Sequence, residues 1–443
     1  DPVVVVGDDL ANEGPAGDRP SSPGIRWRGA RRVLNPDPDR GLASSLRLGW
    51  AAATKAVPAP EAVLVVLADQ PDLPPSILRG LLDAPLDDQR PIVVARFADG
   101  GRHPVRLEPA AADLVAMARD DRGLGPLLDE SPDRVRFLDF EGSNPDVDSR
   151  SDLVTFLADR WAERVRANAA QVARFREEPD GTDFYAKVTR VFVVDPARDD
   201  DPILEAIRGQ AFPDDTWLDI GAGAGRYALP IARSVKAVIA VDPSPAMLAA
   251  LASGSKEHGI VSVSTLEGRW PPDGALRVRL GADPVADVAL IAHVSYDVAE
   301  ILPFIVAMER AARRACVAVL MDGSPASSAS PFWPAVHGEE RIALPALQQF
   351  VELLEARGCA PSVVLQPGDA RRWQDRDELL GFLRRQLWTV AGSAADARLL
   401  AEMEHLTRAA SDGSVEVIGV GSQSIGIVTW QPPRNIPEGA PSV

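Results

Sequence analysis

Cysteine is scarce in this chain, whose 443 residues include only Cys316 and Cys359. Two cysteines exclude a disulfide framework and a cysteine-rich zinc site, and they fit a reducing cytoplasm. Long apolar runs are also missing. The longest are Val3 to Val6, Val63 to Ala68 and Cys316 to Met321, far short of the ~20 residues that cross a bilayer. No signal peptide is visible, and we expect a cytoplasmic protein without a membrane partner.

An excess of basic charge is the third absence. Lys and Arg number 47 against 64 Asp and Glu, which gives a formal net charge of -17. A balance of this sign repels a phosphate backbone, so nucleic acid is not an expected partner. A small-molecule ligand is favoured instead.

Short β-branched runs alternate with helix-length amphipathic stretches along the whole chain, which is typical of parallel sheets covered by helices. At ~150 residues per domain, this length predicts two or three domains. We predict a first domain at 1–157, a helical linker at 158–180 and a second domain at 181–432. The linker is part of a helix of mixed charge with one apolar face, between Asp152 and Phe175.

The predicted elements follow this division. In the first half the strands are Val3 to Val6, Ala62 to Ala68, Ile92 to Arg96 and Val135 to Phe140, and the helices Gly41 to Val57, Pro75 to Leu82 and Ala110 to Ala118. In the second half the strands are Trp217 to Ile220, Ala237 to Val241, Val261 to Thr265, Val288 to Ala292, Cys316 to Met321 and Ser362 to Leu365, followed by an antiparallel hairpin of Ser414 to Val420 and Ser424 to Trp430. The Pro, Ser and Ala-rich piece from Gly323 to Pro334 is predicted to be an insertion loop.

The strongest motif is an apolar strand that runs into three alternating glycines, Gly221, Gly223 and Gly225, and then into a helix. Glycine lets the backbone turn sharply and lets a ligand approach it closely. The next strand ends in Asp242. A carboxylate there can accept hydrogen bonds from the two ribose hydroxyls of an adenosine.

The details of this loop distinguish two classes of cofactor. Dinucleotide sites favour G-x-G-x-x-G, whose helix N-terminus receives a pyrophosphate, whereas the spacing here is G-x-G-x-G. Asp219 stands two residues before the first glycine. It would repel a pyrophosphate but suits the cationic amino group of a methionine moiety, so S-adenosylmethionine fits better.

With these residues the second half resembles a class I S-adenosylmethionine-dependent methyltransferase, whose fold is a seven-stranded Rossmann-like sheet. The resemblance implies that the glycine loop holds the cofactor, that Asp242 binds its ribose and that Met247 or Glu267 and Gly268 lie near the adenine. The complete implied set is Asp219, Gly221, Ala222, Gly223, Gly225, Asp242, Pro243, Met247, Glu267, Gly268, Ala292 and His293. Two structural alternatives remain: the glycines form only a tight turn, and Glu267 is only solvated.

Catalytic residues need not form a motif, because methyl transfer is a direct displacement that depends mainly on alignment and water exclusion. His293 and Tyr296 are our catalytic candidates, since both follow the fourth strand. Asp297, His337 and Tyr185 are further candidates by position. Each of the five also has a purely structural explanation as a packed or solvated side chain.

Four ordered motifs stand in the first half. Asn35 begins a turn-rich segment that opens a helix with Ser44 and Ser45 near its start, a natural place for phosphate or base contacts. An apolar strand then ends in Asp69, where a carboxylate could hold Mg²⁺ beside a nucleotide phosphate. Gly101-Arg102-His103-Pro104 and an Asp146 to Leu153 segment containing Asp148 come later.

Together these motifs resemble the MobA-like nucleotidyltransferases of the molybdenum cofactor cytidylyltransferase type, which have a Rossmann-like sheet. The resemblance implies Asn35, Ser44, Ser45, Asp69 and His103 as nucleotide contacts, with CTP or another nucleotide as ligand, and Asp69 and Asp148 as Mg²⁺ ligands. The family begins with a strand and a glycine-rich loop carrying Arg and Lys, and nothing of this kind precedes Val3. We therefore expect this half, as given, to transfer nucleotides poorly.

The sequence thus predicts an α/β chain of two domains, the first nucleotidyltransferase-like and the second a methyltransferase acting on an unidentified small molecule. One alternative is a molybdopterin cytidylyl or other nucleotidyltransferase in molybdenum cofactor maturation. A second is a non-catalytic cofactor-binding or chaperone protein.

Overall fold

The computed structural model describes residues 3–6, 30–178, 189–368 and 371–433. They divide into two compact units, Asp1–Asp148 and Ser149–Val443. The predicted boundaries at 157 and 180 stay a prediction. Within the described ranges, none of the helices combines the length and the apolar character that a bilayer crossing requires.

The first unit contains a parallel pair of strands and a mixed four-stranded sheet. The strands are β1 (Val3–Val6), β2 (Arg31–Leu34), β3 (Val63–Val65), β4 (Ile92–Phe97), β5 (Val105–Leu107) and β6 (Val135–Phe140), and the helices are α1 (Leu42–Ala53), α2 (Pro75–Asp83), α3 (Ala112–Met117) and α4 (Gly125–Glu130). The larger sheet has the order β3-β5-β4-β6, in which β5 is antiparallel to both neighbours while β4 and β6 are parallel. The prediction of a parallel sheet is therefore correct only in part, because β5 was not foreseen. It is three residues long and carries an arginine at its centre.

That arginine, Arg106, is buried in an ionic cluster. Its Nη2 donates to Glu108 Oε1 at 2.6 Å, and Arg136 Nη2 donates to the same oxygen at 2.8 Å. The other oxygen of Glu108 accepts the backbone N–H of Asp87, and Arg106 Nη1 donates to the carbonyl of Leu81. Side-chain exposure is 1% for Arg106 and 2% for Glu108, so removing either partner would leave an uncompensated buried charge.

The second unit is built on a seven-stranded sheet of order β12-β16-β11-β10-β7-β8-β9. Its strands are β7 (Thr216–Ile220), β8 (Ala237–Asp242), β9 (Val263–Glu267), β10 (Ala286–Ala292), β11 (Ala312–Met321), β12 (Ser362–Gln366) and β16 (Ile425–Trp430). All neighbouring pairs are parallel except those of β16, which is antiparallel to both β11 and β12. The parallel strands place the carboxyl ends of β7, β8, β10 and β11 along one edge, which we call the cofactor edge.

Helices cover both faces of this sheet. In chain order they are α5 (Arg150–Phe175), α6 (Pro202–Arg208), α7 (Ala228–Ala232), α8 (Pro245–Glu257), α9 (Gly274–Leu280), α10 (Ile301–Ala311), α11 (Trp333–His337), α12 (Leu347–Ala356), α13 (Arg376–Leu387) and α14 (Ala394–Leu406). α5, α10 and α12 pack into the core on one face, and α6, α7 and α8 into the core on the other. Trp161 of α5 donates its indole N–H to the carbonyl of Val298 at 2.9 Å, so this helix belongs to the second unit.

The predicted terminal hairpin is wrong. β15 (Val415–Val417) pairs with β13 (Arg372–Trp373) and β14 (Thr407–Ala409) in a separate three-stranded sheet, while β16 enters the large sheet. The predicted insertion loop is also wrong, because Pro325–Phe332 forms a 3₁₀ helix that leads directly into α11. Both segments supply buried apolar side chains to a third core with α13 and α14.

We expect Glu108→Ala to destabilise the first unit by about 3–5 kcal/mol, because it leaves Arg106 charged and buried. The free energy of opening of the β4 and β5 amides, measured by hydrogen exchange, checks this. Asp139→Ala is the matched control, since its ion pair with Arg96 is exposed and is expected to contribute less than ~1 kcal/mol. Equal effects of the two substitutions would contradict the assignment.

Candidate functional site

The glycine loop follows β7 directly. Gly221, Gly223 and Gly225 all have positive φ, at 74°, 55° and 88°. A Cβ at Gly221 would lie 2.4 Å from Val294 Cγ2, and one at Gly225 would lie 2.8 Å from Leu229 Cγ. At Gly223, by contrast, no heavy atom lies within 4 Å of a Cβ. Two glycines therefore pack the loop against its neighbours, and the third leaves open backbone at the cofactor edge.

Asp242, at the end of β8, holds this loop. Its Oδ2 accepts the backbone N–H of Gly223 at 2.8 Å, and its Oδ1 accepts that of Ser244 at 2.8 Å. The residue is 7% exposed. Since a carboxylate oxygen accepts more than one hydrogen bond, these contacts are compatible with the predicted ribose role, which stays a prediction.

Asp219 lies in β7 at 3% exposure. Burial, and after it the negative charge of Asp242, raise the pKa of its carboxyl to about 7, while a hydrogen bond from the N–H of Ala228 opposes the shift. A bound cation would stabilise the ionised form of this carboxyl. The site therefore suits a positively charged ligand group next to the loop.

The other predicted cofactor residues reach the same edge. Gly268 donates its N–H to the carbonyl of Asp242 at 3.1 Å, and Glu267 is the register partner of Asp242. Met247 is buried and its N–H donates to Ser244 Oγ at 3.2 Å. The remaining members differ in exposure: Ala222 is buried, Pro243 is exposed, and Ala292 is half-buried at the end of β10.

The loop after β10 is strained. His293 and Ser295 have φ of 56° and 90°, in the left-handed region that side chains rarely adopt. The backbone N–H of His293 donates to the carbonyl of Val319 in β11 at 2.9 Å. His293 Nδ1 and Ser295 Oγ are buried and have no hydrogen-bond partner among the described residues. Strain and unsatisfied polar atoms together are typical of a binding site.

The protonation state of His293 follows from its surroundings. Burial, and after it the positive charge of Arg226, lower the pKa of the imidazole to about 4, while the negative charge of Asp201 opposes the shift. The ring is therefore neutral near pH 7. It can accept a hydrogen bond there, but it is a weak base.

Tyr296 is 5% exposed, and its hydroxyl oxygen accepts the backbone N–H of Met321 at 2.7 Å. Burial raises the pKa of this phenol well above its ordinary value. The geometry therefore favours a positioning role that joins the loop after β10 to the end of β11. Asp297, which follows it, is exposed.

His337, another candidate, lies in the third core and not at this edge. His337 packs among Phe175 and Trp333, with ring centroids at 4.5 and 4.4 Å, and its Nε2 lies 2.9 Å from the carbonyl of Leu387. These contacts make it part of the third core. Tyr185 lies outside the described residues.

Sequence reasoning missed Arg226 and the residues that hold it. Arg198 donates to the backbone carbonyl of Arg226 at 2.9 Å and to Asp201 Oδ2 at 3.0 Å. The Arg226 guanidinium lies 5.7 Å from the Tyr227 ring centroid. The only available signal was the position of Arg226 immediately after the third glycine.

In the first unit, the predicted nucleotide residues at the start of α1 come together. Asn35 Nδ2 donates to Ser44 Oγ at 2.8 Å and to Ser45 Oγ at 3.0 Å. Ser44 Oγ donates in turn to the carbonyl of Gly41 at 2.9 Å. Their contacts order the turn before α1, and their role towards a nucleotide stays a prediction.

Asp69 and Asp146 both lie close enough to His103 to act on its imidazole. Burial lowers the pKa of the His103 imidazole, and the negative charges of Asp146 and Asp69 oppose the shift. Asp69 Oδ1 is buried without a hydrogen-bond partner among the described residues, whereas Asp148 is exposed. Within the same residues, no group of three His, Cys, Asp or Glu side chains is arranged to hold a metal ion. Protein ligands alone therefore do not form a metal cage here, and the Mg²⁺ assignment stays a prediction.

Two family models match the chain, that of the MobA-like NTP transferase domain over residues 1–135 and that of a methyltransferase domain over residues 218–293. They confirm the predicted succession of domains and the α/β fold. No curated protein matches the chain.

Solved structures resemble the chain at low identity. The YcgJ protein from Bacillus subtilis is 15% identical with a TM-score of 0.36, over 52% of this chain and 98% of its own. A putative methyltransferase from Bacillus halodurans C-125 is 12% identical with a TM-score of 0.37, over 52% and 98%. Geranyl diphosphate C-methyltransferase from Streptomyces coelicolor A3(2), solved with Mg²⁺, geranyl diphosphate and S-adenosyl-L-homocysteine, is 13% identical with a TM-score of 0.31, over 52% and 78%.

Because folding raises the pKa of Asp219, the free energy of unfolding depends on pH. The carboxyl is protonated in the folded state up to about pH 7, but in the unfolded state only up to its model value of 3.8. Folding stability is therefore lost as pH rises from about 4 through 7. Asp219→Asn removes this dependence. We therefore expect the stability of the variant relative to the parent to rise by about 2–3 kcal/mol from pH 5 to pH 8.

Thermal melts of both proteins at the two pH values measure this difference. Asp297→Asn, an exposed change close to the same edge, is the control and should leave the pH dependence unaltered. A constant offset between parent and Asp219→Asn across the range would refute the assignment.

Proposed function

The chain carries a MobA-like NTP transferase domain followed by a methyltransferase domain, and from this premise we propose that its second unit transfers the methyl group of S-adenosylmethionine to a small-molecule acceptor. The observation that carries the proposal is the open backbone at Gly223, held by the carboxylate of Asp242. A side chain at this position would occupy the space above the loop, which supports binding of the cofactor there.

Two carboxylates would contact different parts of the cofactor. We assign the ribose hydroxyls to Asp242, which already lies at the tip of β8 with its oxygens facing backbone donors. Asp219 would face the ammonium of the methionine moiety, because its pKa is raised in the absence of a cation and attraction to one would restore its charge. Met247, Glu267 and Gly268 would lie about the adenine.

When bound, S-adenosylmethionine supplies a methyl group that an acceptor atom takes with its own lone pair, while the electrons of the broken carbon–sulfur bond stay on sulfur. The residues of this chain would align the two partners and exclude water. His293, neutral and with a buried Nδ1 that has no partner in the described part of the chain, would accept a hydrogen bond from the acceptor. Tyr296 would hold the His293 loop against β11 through Met321.

Gly223→Val tests whether the cofactor occupies the open space at Gly223. The new side chain would occupy the space where the cofactor is proposed to lie, so we expect S-adenosylmethionine binding, measured by calorimetry on the full chain, to weaken at least tenfold. Asp242→Asn should weaken it as well, because the amide is neutral and presents one acceptor oxygen instead of two.

The matched control for Gly223→Val is Gly259→Val. Gly259 follows α8, has a similar positive φ of 64° and also has no heavy atom within 4 Å of a Cβ. The control therefore carries the same backbone strain without filling the cofactor edge, and its affinity should match that of the parent. Absence of S-adenosylmethionine binding by the parent would refute the proposed function.

A second activity is supported by the first unit, in which Asn35, Ser44 and Ser45 converge. Asp69 has a buried oxygen without a partner among the residues that the structure describes. We propose that this unit binds a nucleotide, with CTP as the first candidate, and that Asp69 would hold the Mg²⁺ that accompanies the phosphates. Mg²⁺ commonly uses one or two carboxylates together with substrate phosphates, which fits the small number of protein ligands. Molybdenum cofactor maturation and a non-catalytic carrier role stay predictions.

We expect CTP to bind the full chain only with Mg²⁺, and Asp69→Asn to weaken that binding at least tenfold because one anionic metal ligand is lost. Titration calorimetry with and without Mg²⁺ measures both effects, and ATP and GTP test the choice of base. Asp133→Asn, an exposed change at the start of β6, should leave binding unchanged. Equal CTP affinity with and without the metal would contradict the proposed metal role.

A further inference from the structure

A cavity of about 200 Å³ lies beyond the carboxyl end of β11. The side chains that give it its character are Arg164, Asn168, Asp322, Ser324, Ser327 and Arg341. They come from α5, from the segment that follows β11 and from the chain before α12. No residue predicted from sequence to bind a ligand or catalyse lies among them.

Two guanidinium groups dominate the cavity, and neither is paired with a carboxylate of the residues that the structure describes. Arg341 Nη1 donates to the carbonyl of Ala326 at 3.0 Å, and its guanidinium lies 4.8 Å from the Trp333 ring centroid. Arg164 Nη2 donates to the carbonyls of Ala343 and Leu344 at 3.2 and 3.3 Å. Within the described ranges, the contacts of both groups are thus to neutral carbonyls and a ring.

The partial burial of these two guanidinium groups changes their pKa values. It lowers the pKa of Arg341 to about 10, and it lowers the pKa of Arg164, which the charge of Arg160 lowers further. Burying a cation without an anion is unfavourable, and a bound anion would offset that cost.

The remaining lining groups include hydrogen-bond donors suited to an anion. Ser324 is 7% exposed, and Ser327, whose hydroxyl now donates to the carbonyl of Ser324 at 2.6 Å, can rotate its proton towards a ligand. Asp322 is the one acidic residue of this lining. It is exposed, and its Oδ2 accepts the N–H of Ser424 at 3.1 Å.

The cavity adjoins the proposed methyl-transfer edge. Asp322 follows Met321, whose N–H donates to the hydroxyl of Tyr296, and the N–H of His293 donates to Val319 in the same strand. A molecule anchored in the cavity would therefore extend along the end of β11 towards the loop that carries His293.

We propose that this cavity binds an anionic group of the methyl acceptor, a carboxylate or a phosphate, between Arg164 and Arg341. Its volume lies below the ~300–1,000 Å³ of pockets that enclose a whole drug-sized ligand, so it holds the charged end and leaves the reacting atom towards His293. The assignment of that anion to the acceptor rests on the proposed methyltransferase function.

Inorganic phosphate and acetate are the probes, each added to the full chain at an ionic strength matched with sodium chloride. We expect at least one of them to raise the melting temperature of the parent by about 2–4 °C near saturation, as binding to the folded state stabilises it. Arg164→Gln and Arg341→Gln should each abolish the rise. Arg166→Gln, on the same helix and paired at the surface with Glu300, is the matched control and should keep it.

The two probes, phosphate and acetate, identify the chemical class of the anion. A response to phosphate alone assigns a phosphate ester, a response to acetate alone assigns a carboxylate, and a response to both supports the shared chemistry. No response of the parent to either probe, or an undiminished response of both arginine variants, overturns the proposal. If Arg341→Gln does not fold, Arg164→Gln and the charge-conserving Arg341→Lys decide the outcome, since Arg341→Lys should retain part of the response.

Calorimetry with S-adenosylhomocysteine separates this inference from the proposed function. The two arginine variants should bind it within about twofold of the parent, because the cavity lies outside the glycine loop. If the parent binds the anion but not S-adenosylhomocysteine, the proposed function fails while the anion site stands. If it binds S-adenosylhomocysteine but neither anion, only the present inference fails.

Discussion

The hydrogen bond from the backbone N–H of Gly223 to Asp242 is the contact on which the rest of the second unit's candidate site depends. One oxygen of the carboxylate fixes the glycine loop and the other fixes Ser244, the residue that caps α8. Because β7 and β8 are adjacent and parallel, this single side chain joins the two turns that leave them. The loop has positive φ at three glycines, and such a conformation persists only where its surroundings determine it.

Several unfavourable features gather at the same edge of the sheet. Asp219 is buried near a second carboxylate, His293 and Ser295 have strained backbones, and their buried polar atoms lack partners among the described residues. Elsewhere the sheet is packed on both faces by apolar side chains from six helices. The apolar cores offset the free-energy cost of these features at the edge. This distribution is expected when a fold maintains a preformed binding site.

Local patterns in the sequence were sufficient for the glycine loop, because glycine, aspartate and strand positions lie within a few residues of one another. They were sufficient for most strand positions as well. They failed where a strand pairs with strands that are distant in the sequence. The pattern of Ser424 to Trp430 fits a strand of a local hairpin as well as a strand of the large sheet. In the structure this segment contains β16, which pairs with β11 and β12.

Charged and polar side chains depend on distant partners in the same way. An arginine at the centre of a strand is expected to face solvent, but Arg106 is buried because Glu108 and Arg136 share its cluster. His337 had a plausible chemical position in the sequence, yet the aromatic rings around it come from separate elements. Likewise Arg164 and Arg341 meet only through the packing of α5 near the end of β11, which no spacing rule encodes.

The strand order separates opposite charges along the cofactor edge. Asp219 and Asp242 lie on β7 and β8. The next strand in the sheet is β10, with the loop that carries His293, and the two arginines lie beyond β11. From β8 to β11 there are three strand spacings, roughly 14 Å at ~4.8 Å each, and from β7 to β11 there are two, roughly 10 Å. Both aspartates are buried, so salt screens their charges less than it would screen exposed ones, and it is distance that weakens their interaction with the arginines. In the proposed arrangement the cationic cofactor lies nearer the aspartates and the anionic acceptor nearer the arginines, so that the two ligands are oriented from opposite ends towards the His293 loop between them.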